Sequence, residues 1–328
     1  MDVSEKSKPT VREWLKAHSS ILAEYGGLVF CIIFFTIATQ LKGESIWSAA
    51  KISTLMSDVI VTALMAVGAV FIYSLGNMDI SIGKQIGLYS TILVLVGNKT
   101  GSLIPAVVIC LVIAVIIGVI NGAAGEILHM YSVISSVVFM MILSGVSTII
   151  YSKIGTRNIA LRAVDTRIFK SPIVMITVLI IETAIIAYFF NYTKFGKYAK
   201  AIGANKVVAE QSGVNVVKYK VIPYVFLAVC LVIASLFQMG YTGAASDSTG
   251  TGFEMNVMVA LILGGMPLKG GMKSRVSCAI VGSFTFSLLD VGLPIIGIPT
   301  KLTFMVKAVI FLVVVLITCR KKNGVLPR

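Results

Sequence analysis

The sequence has few charged residues and only two histidines, which leaves little material for catalysis or for a metal site. Only 13% of its 328 residues are Asp, Glu, Lys or Arg, whereas 57% are hydrophobic. A soluble domain cannot bury that much apolar surface, so lipid is the expected solvent. The histidines, His18 and His129, are far apart, and no HExxH, Ser/His/Asp or paired-carboxylate pattern is present. We therefore expect neither an enzyme active site nor a bound metal in this chain.

The five cysteines show no pairing pattern. Each lies in or at the end of an apolar run, without CxxC or Cys/His spacing: Cys31, Cys110, Cys230, Cys278 and Cys319. We predict that they are small core residues rather than disulfide partners or metal ligands.

A nucleotide-binding loop is also missing. The segment GGMKS at 270–274 comes near the pattern, but Gly271 stands where such a loop requires its lysine. The chain therefore has no recognisable nucleotide site of its own, and no cofactor is expected.

The sequence does have a series of apolar segments that suit a bilayer. Because about 20 apolar residues cross the hydrocarbon as a helix, we predict an all-α, polytopic helical membrane protein with about 8–10 transmembrane helices. A polar leader, residues 1–20, precedes the first full-length span and does not fit a cleavable signal peptide. The spans are expected at roughly 21–41, 54–75, 86–96, 102–124, 131–151, 172–191, 221–241, 257–265, 276–291 and 300–319.

Basic residues predict the orientation of these spans. If every segment crosses, 17 Lys and Arg residues lie on one side and nine on the other, which favours a cell-membrane protein with both termini in the cytoplasm. The loop 152–171 opposes this assignment, since it carries five basic residues and one acid, Asp165, on the outside. A short segment that re-enters without crossing would flip part of the topology. Basic loops that orient the protein in the bilayer explain the net charge of +14 better than binding to nucleic acid does.

Two apolar segments are interrupted by glycine, one in each half of the chain. They are LMAVGAVFIYSLGNMDISIGKQIG at 64–87 and VMVALILGGMPLKGGMKSRVSCAIVG at 257–282. Paired interrupted helices in corresponding halves indicate a transport pathway built from two repeats. Two unrelated re-entrant loops remain the alternative.

Ionisable and polar residues within the spans are candidates for a pathway or a structural role. Asp79 is the strongest, either as part of a pathway or as an N-cap that accepts backbone N–H groups of a restarting helix. Other polar side chains could line a path or join helices by hydrogen bonds. The candidate positions are Gly76, Asp79, Ser81, Gly83, Asn121, Asn256, Gly264, Gly265 and Asp290.

The polar stretch 191–220 carries six lysines and one acid, Glu210. Gly203 and Gly213 bracket a segment whose spacing would place Ile202, Val207, Val208 and Gln211 on one helical face. The stretch is either an ordinary positive loop or a short helix that docks a soluble partner.

Three stretches in order resemble one family, the permease subunits of ribose-type ABC importers, which also carry other simple sugars and autoinducer-2. GNMDISIGKQIGLYS at 76–90 resembles the family's GGIDLSVGS segment. FGKYAKAIGANKVVAEQSGVNVVKYK at 195–220 resembles its GRYxxAIGGNxxAARLSGI loop. TGTGFEMNVMVALILGGMPLKGGMKSRV at 249–276 resembles its GxGYELDxIAAVVLGGTSLxGGxG segment, so that the likeness covers roughly 54–319.

The resemblance implies a transmembrane permease domain at 21–319, a cytoplasmic coupling loop at 194–220 and a basic cytoplasmic tail at 320–328. The substrate would be a simple sugar (a ribose-like pentose or hexose, or a related furanose) delivered by an extracellular binding protein. The other expected partners are a second permease copy, membrane lipid and a separate subunit that hydrolyses ATP, and nucleic acid is not expected. The coupling positions carried over are Lys197, Ala201, Ile202, Gly203, Asn205, Glu210, Ser212 and Gly213.

Several positions depart from the family pattern. Asn77 replaces a glycine, Lys84 stands where a small residue is usual, and Glu210 with Gln211 replaces Arg-Leu. Asn256 replaces an aspartate and Asp290 an asparagine, so ribose itself is not assumed. An ion-coupled secondary transporter is the alternative function, with Asp79 as its coupling carboxylate. A membrane enzyme ranks third because no catalytic constellation supports it.

Overall fold

The computed structural model describes residues 19–319 and shows a bundle of α-helices with one short pair of strands. The predicted leader and tail, apart from residues 19 and 20, lie outside the described residues. The helices are α1 (Ser19–Leu41), α2 (Ala49–Ser74), α3 (Ile82–Thr100), α4 (Leu103–Ile127), α5 (Ser132–Ile154), α6 (Pro172–Tyr192), α7 (Lys194–Ala204), α8 (Lys206–Gln211), α9 (Val216–Thr242), α10 (Phe253–Leu263), α11 (Ser277–Ile295) and α12 (Thr300–Cys319). The strands are β1 (Asn158–Ala160) and β2 (Ala244–Ser246), and a 3₁₀ turn spans Arg167–Lys170.

The predicted class of an all-α, polytopic membrane protein is confirmed. Within the described residues, six helices are long and apolar enough to span a bilayer: α2, α4, α5, α6, α9 and α11. Shorter apolar helices at Tyr25–Leu41, Phe253–Leu263 and Leu302–Leu316 accompany them. The chain is therefore a multi-pass membrane protein.

The helix ends differ from the predicted span ends where a polar residue caps the helix. The segment expected at 86–96 is part of the longer α3, which begins at Ile82. Helix α9 begins at Val216 rather than near 221, because Asn215 Oδ1 accepts the N–H of Lys218 at 3.0 Å. Hydropathy detects the apolar part of a helix but not the polar turn that caps it.

Helix α2 lies at the centre of the bundle and packs against α6, α9, α10 and α11. In its apolar window 89% of the residues are buried, whereas the value is 22% for α4, α5 and α6. The outer surfaces of these three helices carry exposed apolar side chains such as Ile104, Ile116 and Ile180. Such surfaces suit lipid or a partner subunit.

Glycines allow several helices to approach closely. Gly118 and Gly122 of α4 pack against the backbone of Tyr224 and Val221 of α9. Between α10 and α11, a Cβ on Gly282 would lie 1.8 Å from the Ala260 carbonyl oxygen. Small residues at such contacts let two helix backbones meet without a side chain between them.

The connections gather at two ends of the bundle. At one end, which we call the strand end, β1 pairs antiparallel with β2, and Asn98 Nδ2 donates to the Ala160 carbonyl at 2.8 Å. At the other end, which we call the loop end, the C-terminal ends of α2 and α4 and the turn after α10 meet α7 and α8. Gly203 approaches Ser74, Lys206 pairs with Glu126, and Ala204 lies against Gly271.

Adding one methyl group at Gly282 is expected to destabilise the protein. Gly282→Ala should cost about 1–3 kcal/mol, because the Ala260 carbonyl belongs to a helix backbone and can shift little. This should lower the melting temperature in detergent by several degrees. The control is Gly145→Ala on α5, where nothing lies within 4 Å of the added Cβ. Equal melting temperatures for the two variants would contradict the close α10–α11 packing.

Candidate functional site

The first interruption lies between α2 and α3, and Asp79 organises it. Gly76 turns the chain with φ +74° after the end of α2. Asp79 is 2% exposed, and its Oδ1 accepts the Ser81 backbone N–H at 2.8 Å and the Ser81 hydroxyl at 2.6 Å. This is an Asx-type turn, in which the carboxylate bonds to the N–H two residues on, and it leads into α3, whose N-cap residue is Ser81.

The hydrogen bonds of Asp79 continue into α4. Asn121 Nδ2 donates to Asp79 Oδ2 at 3.1 Å and to Ser81 Oγ at 3.2 Å. Gln85 Nε2 donates to Ser81 Oγ at 2.8 Å, and Tyr89 donates its hydroxyl to Gln85 Oε1 at 3.0 Å. Three predicted candidates, Asp79, Ser81 and Asn121, thus meet in one buried network. Gln85 was missed, although its spacing of four residues from Ser81 and Tyr89 could have indicated it.

The second interruption contacts the first. After α10 ends at Leu263, the chain turns through Gly264 and Gly265 and returns to the end of α2. The Gly271 N–H donates to the Ser74 carbonyl at 2.8 Å, and a Cβ on Gly76 would lie 2.7 Å from the Lys269 carbonyl oxygen. The two glycine-interrupted segments predicted from the sequence therefore touch at the loop end of the bundle.

The stretch predicted as a coupling loop forms two helices, α7 and α8. Asn205 separates them, because it ends α7 and its Oδ1 accepts the Val208 N–H at 3.2 Å to begin α8. The prediction of one face shared by Ile202, Val207, Val208 and Gln211 is therefore wrong. Ile202 lies on the buried face of α7, whereas the side chains of Val207, Val208 and Gln211 are exposed.

Helix α7 rests directly on both interruptions through a glycine. A Cβ on Gly203 would lie 2.0 Å from the Ser74 carbonyl oxygen and 2.9 Å from the Gly271 nitrogen. We call this contact the glycine junction; its members are Ser74, Gly76, Gly203, Gly270 and Gly271. Sequence reasoning marked Gly76 and Gly203 but missed the other three, because a close backbone approach leaves no local pattern.

The outer surface of α7 and α8 is exposed at the loop end. Val207 and Val208 are 59% and 54% exposed, and Met272 of the adjacent turn is 70% exposed. Of the predicted coupling positions, Lys197, Asn205, Glu210, Ser212 and Gly213 are exposed and Ala201 is partly buried. Lys200 lies 4.1 Å from the centre of the Phe190 ring, and burial lowers the pKa of its ammonium group.

Ion pairs join α8 and α9 to the end of α4. Lys206 Nζ donates to Glu126 Oε2 at 3.0 Å, and Lys220 donates to the other oxygen of the same carboxylate. A cavity of about 440 Å³ opens beside this cluster, with Asn77 and Asn121 in its lining. Its lining combines polar and apolar surface in nearly equal parts, so that water can occupy it at the loop end of the bundle.

The remaining candidates lie apart from the Asp79 network. Asp290 Oδ1 accepts from Lys307 Nζ at 2.7 Å between α11 and α12. Asn256 lies on α10 and is partly buried. A Cβ on Gly83 would lie 2.2 Å from the Gly250 carbonyl oxygen, so the start of α3 meets the segment that precedes α10.

A multi-pass helical protein with two interrupted segments joined beneath a polar loop has the architecture of a membrane transport component. The chain belongs to the family described as branched-chain amino acid transport system / permease component, whose model matches residues 51–315.

Curated relatives match nearly the whole chain. The ribose import permease protein RbsC of Escherichia coli K12 is 26% identical over 92% of this chain and 95% of its own length. The galactose/methyl galactoside import permease protein MglC of Haemophilus influenzae is 23% identical over 93% and 97%. The xylose transport system permease protein XylH of Escherichia coli K12 is 24% identical over 88% of each chain. No solved structure gives a significant match.

Replacing Asp79 by two different residues should separate capping from charge. Asp79→Asn keeps an acceptor for the Ser81 N–H, and we expect it to insert, fold and retain most of its transport activity. Asp79→Leu leaves several buried donors unpaired, at about 1–3 kcal/mol each, and should be markedly less stable in detergent. Loss of transport by a stably folded Asp79→Asn variant would show that the negative charge itself is required.

Proposed function

We propose that this chain is the membrane permease subunit of an ABC importer for a simple sugar, powered by ATP hydrolysis on a separate subunit. The observation that carries the proposal is the glycine junction. Helix α7, at the loop end of the bundle, contacts the interruption after α2 and the interruption after α10 at the same point. A force applied to α7 therefore reaches both interrupted segments without an intervening flexible linker.

The surface of α7 and α8 provides the contact for the ATP-hydrolysing subunit. Val207, Val208 and Met272 are apolar and exposed, and Lys206 and Lys273 adjoin them in the sequence. An exposed apolar patch with a polar rim is typical of a protein interface. The chain itself offers no nucleotide loop, so ATP binding and hydrolysis take place on the partner.

A simple sugar is the proposed substrate, although the family description mentions branched-chain amino acids. The printed names of the curated relatives refer to ribose, galactose or methyl galactoside, and xylose. The three segments that resemble the ribose-type family support the same class, a pentose, hexose or related furanose. An extracellular binding protein delivers the sugar at the strand end. The high local concentration of sugar that it provides there compensates for weak binding in the permease.

Asp79, the carboxylate predicted to couple an ion in the alternative function, fits that role poorly. An ion-coupled secondary transporter would bind its ion at free oxygen atoms of an intramembrane carboxylate. Both oxygens of Asp79 already accept hydrogen bonds from Ser81 or Asn121. The carboxylate is thus committed to holding α3 against α4.

The loop end faces the cytoplasm in this proposal. Lysines of α7, α8 and α9 gather there, as positively charged loops do on the cytoplasmic side. Both termini then lie in the cytoplasm, the membrane is the cell membrane, and a second permease copy completes the transporter.

Uptake by proteoliposomes tests the proposed function. The permease is reconstituted with its ATP-hydrolysing subunit and its binding protein, and uptake of radiolabelled ribose, xylose and galactose is followed. Uptake of at least one sugar is expected with ATP inside the vesicles. It should not occur with a non-hydrolysable analogue. Uptake driven by a sodium or proton gradient without ATP would contradict the proposal.

A single charge on α8 should disrupt the contact with the ATP-hydrolysing subunit without changing the fold of the transmembrane helices. Val207→Glu is expected to lower sugar-stimulated ATP hydrolysis by about tenfold or more, since a buried unpaired charge weakens an apolar contact. Ile168→Glu at the strand end is the matched control, because Ile168 is also 59% exposed. Both variants should insert and melt like the unmodified protein. Unchanged stimulation in Val207→Glu would rule out this docking surface.

A further inference from the structure

Lys84 occupies an unusual place for a charged residue. It lies in the first turn of α3, sixteen residues before Thr100 at the strand end, which corresponds to about 24 Å along the helix. The same end of α3 is hydrogen-bonded to Asn121, six residues before α4 ends at the loop end, or about 9 Å. If the outer ends of α3 and α4 mark the two faces of a hydrocarbon core about 30 Å thick, Lys84 lies inside the membrane rather than at its surface.

Irregular backbone accompanies Lys84 at this depth. Between β2 and α10 the chain descends along α3, with Thr249 against Gly87 and Gly250 against Gly83. A Cβ on Gly250 would lie 2.0 Å from the Gly83 carbonyl oxygen, and its φ is +79°. Helix α10 therefore begins within the membrane, at Phe253, beside the first turn of α3.

The side chains at this point form a small polar patch, which we call the Lys84 patch: Lys84, Thr251, Glu254 and Met255. Lys84 Nζ donates to Thr251 Oγ1 at 3.3 Å, and Thr251 and Met255 are exposed on the surface of the single chain. Within the described residues, no carboxylate lies within 4.0 Å of the Lys84 ammonium. The ammonium group is therefore neither buried in the bundle nor neutralised by a close acid.

Lipid is an unsuitable neighbour for this patch. A charged side chain and non-helical backbone at membrane depth occur where protein covers them or where they border water. In this chain the patch lies on the outer surface, so a second copy must cover it or water must reach it in the assembled transporter. The outer surface of α4, by contrast, presents apolar side chains such as Ile116 at similar depth.

We propose that the Lys84 patch lines the narrow part of the sugar path that this chain forms with the second permease copy, and that Lys84 sets its sugar selectivity. The inference rests on the proposed transport function and names the residues of its path. Lys84 supplies donors, Glu254 acceptors and Thr251 both, while Met255 offers an apolar surface to the C–H groups of a sugar ring. One positive and one negative charge suit an uncharged, hydroxyl-rich substrate better than a sugar acid.

Thiol labelling tests whether the patch borders water. Met255→Cys is treated in membranes with a positively charged, water-soluble methanethiosulfonate, and Ile116→Cys is the control. These positions are 58% and 52% exposed on the single chain. Met255→Cys should react about tenfold faster or more, because the reactive thiolate forms where water reaches it. Equal rates would overturn the assignment of the path, and this readout requires no transport activity.

Uptake selectivity tests Lys84 itself. Lys84→Ser should change the uptake ratio between ribose, xylose and galactose by about threefold or more, as the loss of one hydrogen-bond donor allows. Galacturonate, a sugar acid, should remain a poor substrate of the unmodified protein. The control is Lys99→Ser, in the last turn of the same helix. Unchanged ratios in Lys84→Ser, or preferred uptake of galacturonate by the unmodified protein, would overturn the selectivity role. Failure of the unmodified protein to take up any sugar would instead reject the proposed function.

Discussion

The arrangement of this protein depends on the close backbone contact at the Ser74 carbonyl. Gly271 donates to that carbonyl, and Gly203 approaches so closely that any side chain there would collide with it. Because the three groups belong to α2, α7 and the turn before α11, one point joins the projecting loop to both interrupted segments. In the account proposed here, this contact transmits the movement of the ATP-hydrolysing subunit to the membrane path.

The lipid environment explains the placement of Asp79 and Lys84. Buried polar groups inside a membrane must be paired or border water. The Asp79 carboxylate satisfies the first condition, since it accepts from Ser81 and Asn121 and so fixes the start of α3. The Lys84 patch meets the second condition in our proposal. The start of α3 thus has two roles: it joins α3 to α4 through the Asp79 network, and it positions Lys84, which faces the path in our proposal.

Hydropathy and the three motifs predicted the class, the approximate spans and the two interruptions, because these features are encoded locally. The contact between Asp79 and Asn121 required tertiary structure, since 42 residues separate the pair. The misplacement of Ile202 on the face of Val207 followed from overlooking Asn205, a good N-cap within a helical pattern. The roles of Gly270 and Gly271 were not predictable, because their neighbours come from elsewhere in the chain.

The central claim is that this chain is one subunit of an ATP-powered importer. The most direct test identifies the chains that are bound to it in the membrane. The protein is purified in mild detergent from membranes that express its own partners, and the bound chains are identified and quantified by mass spectrometry. The account predicts a stoichiometric ATP-binding subunit, which Val207→Glu should release. A lone chain that still transports sugar with an ion gradient and no ATP would contradict it.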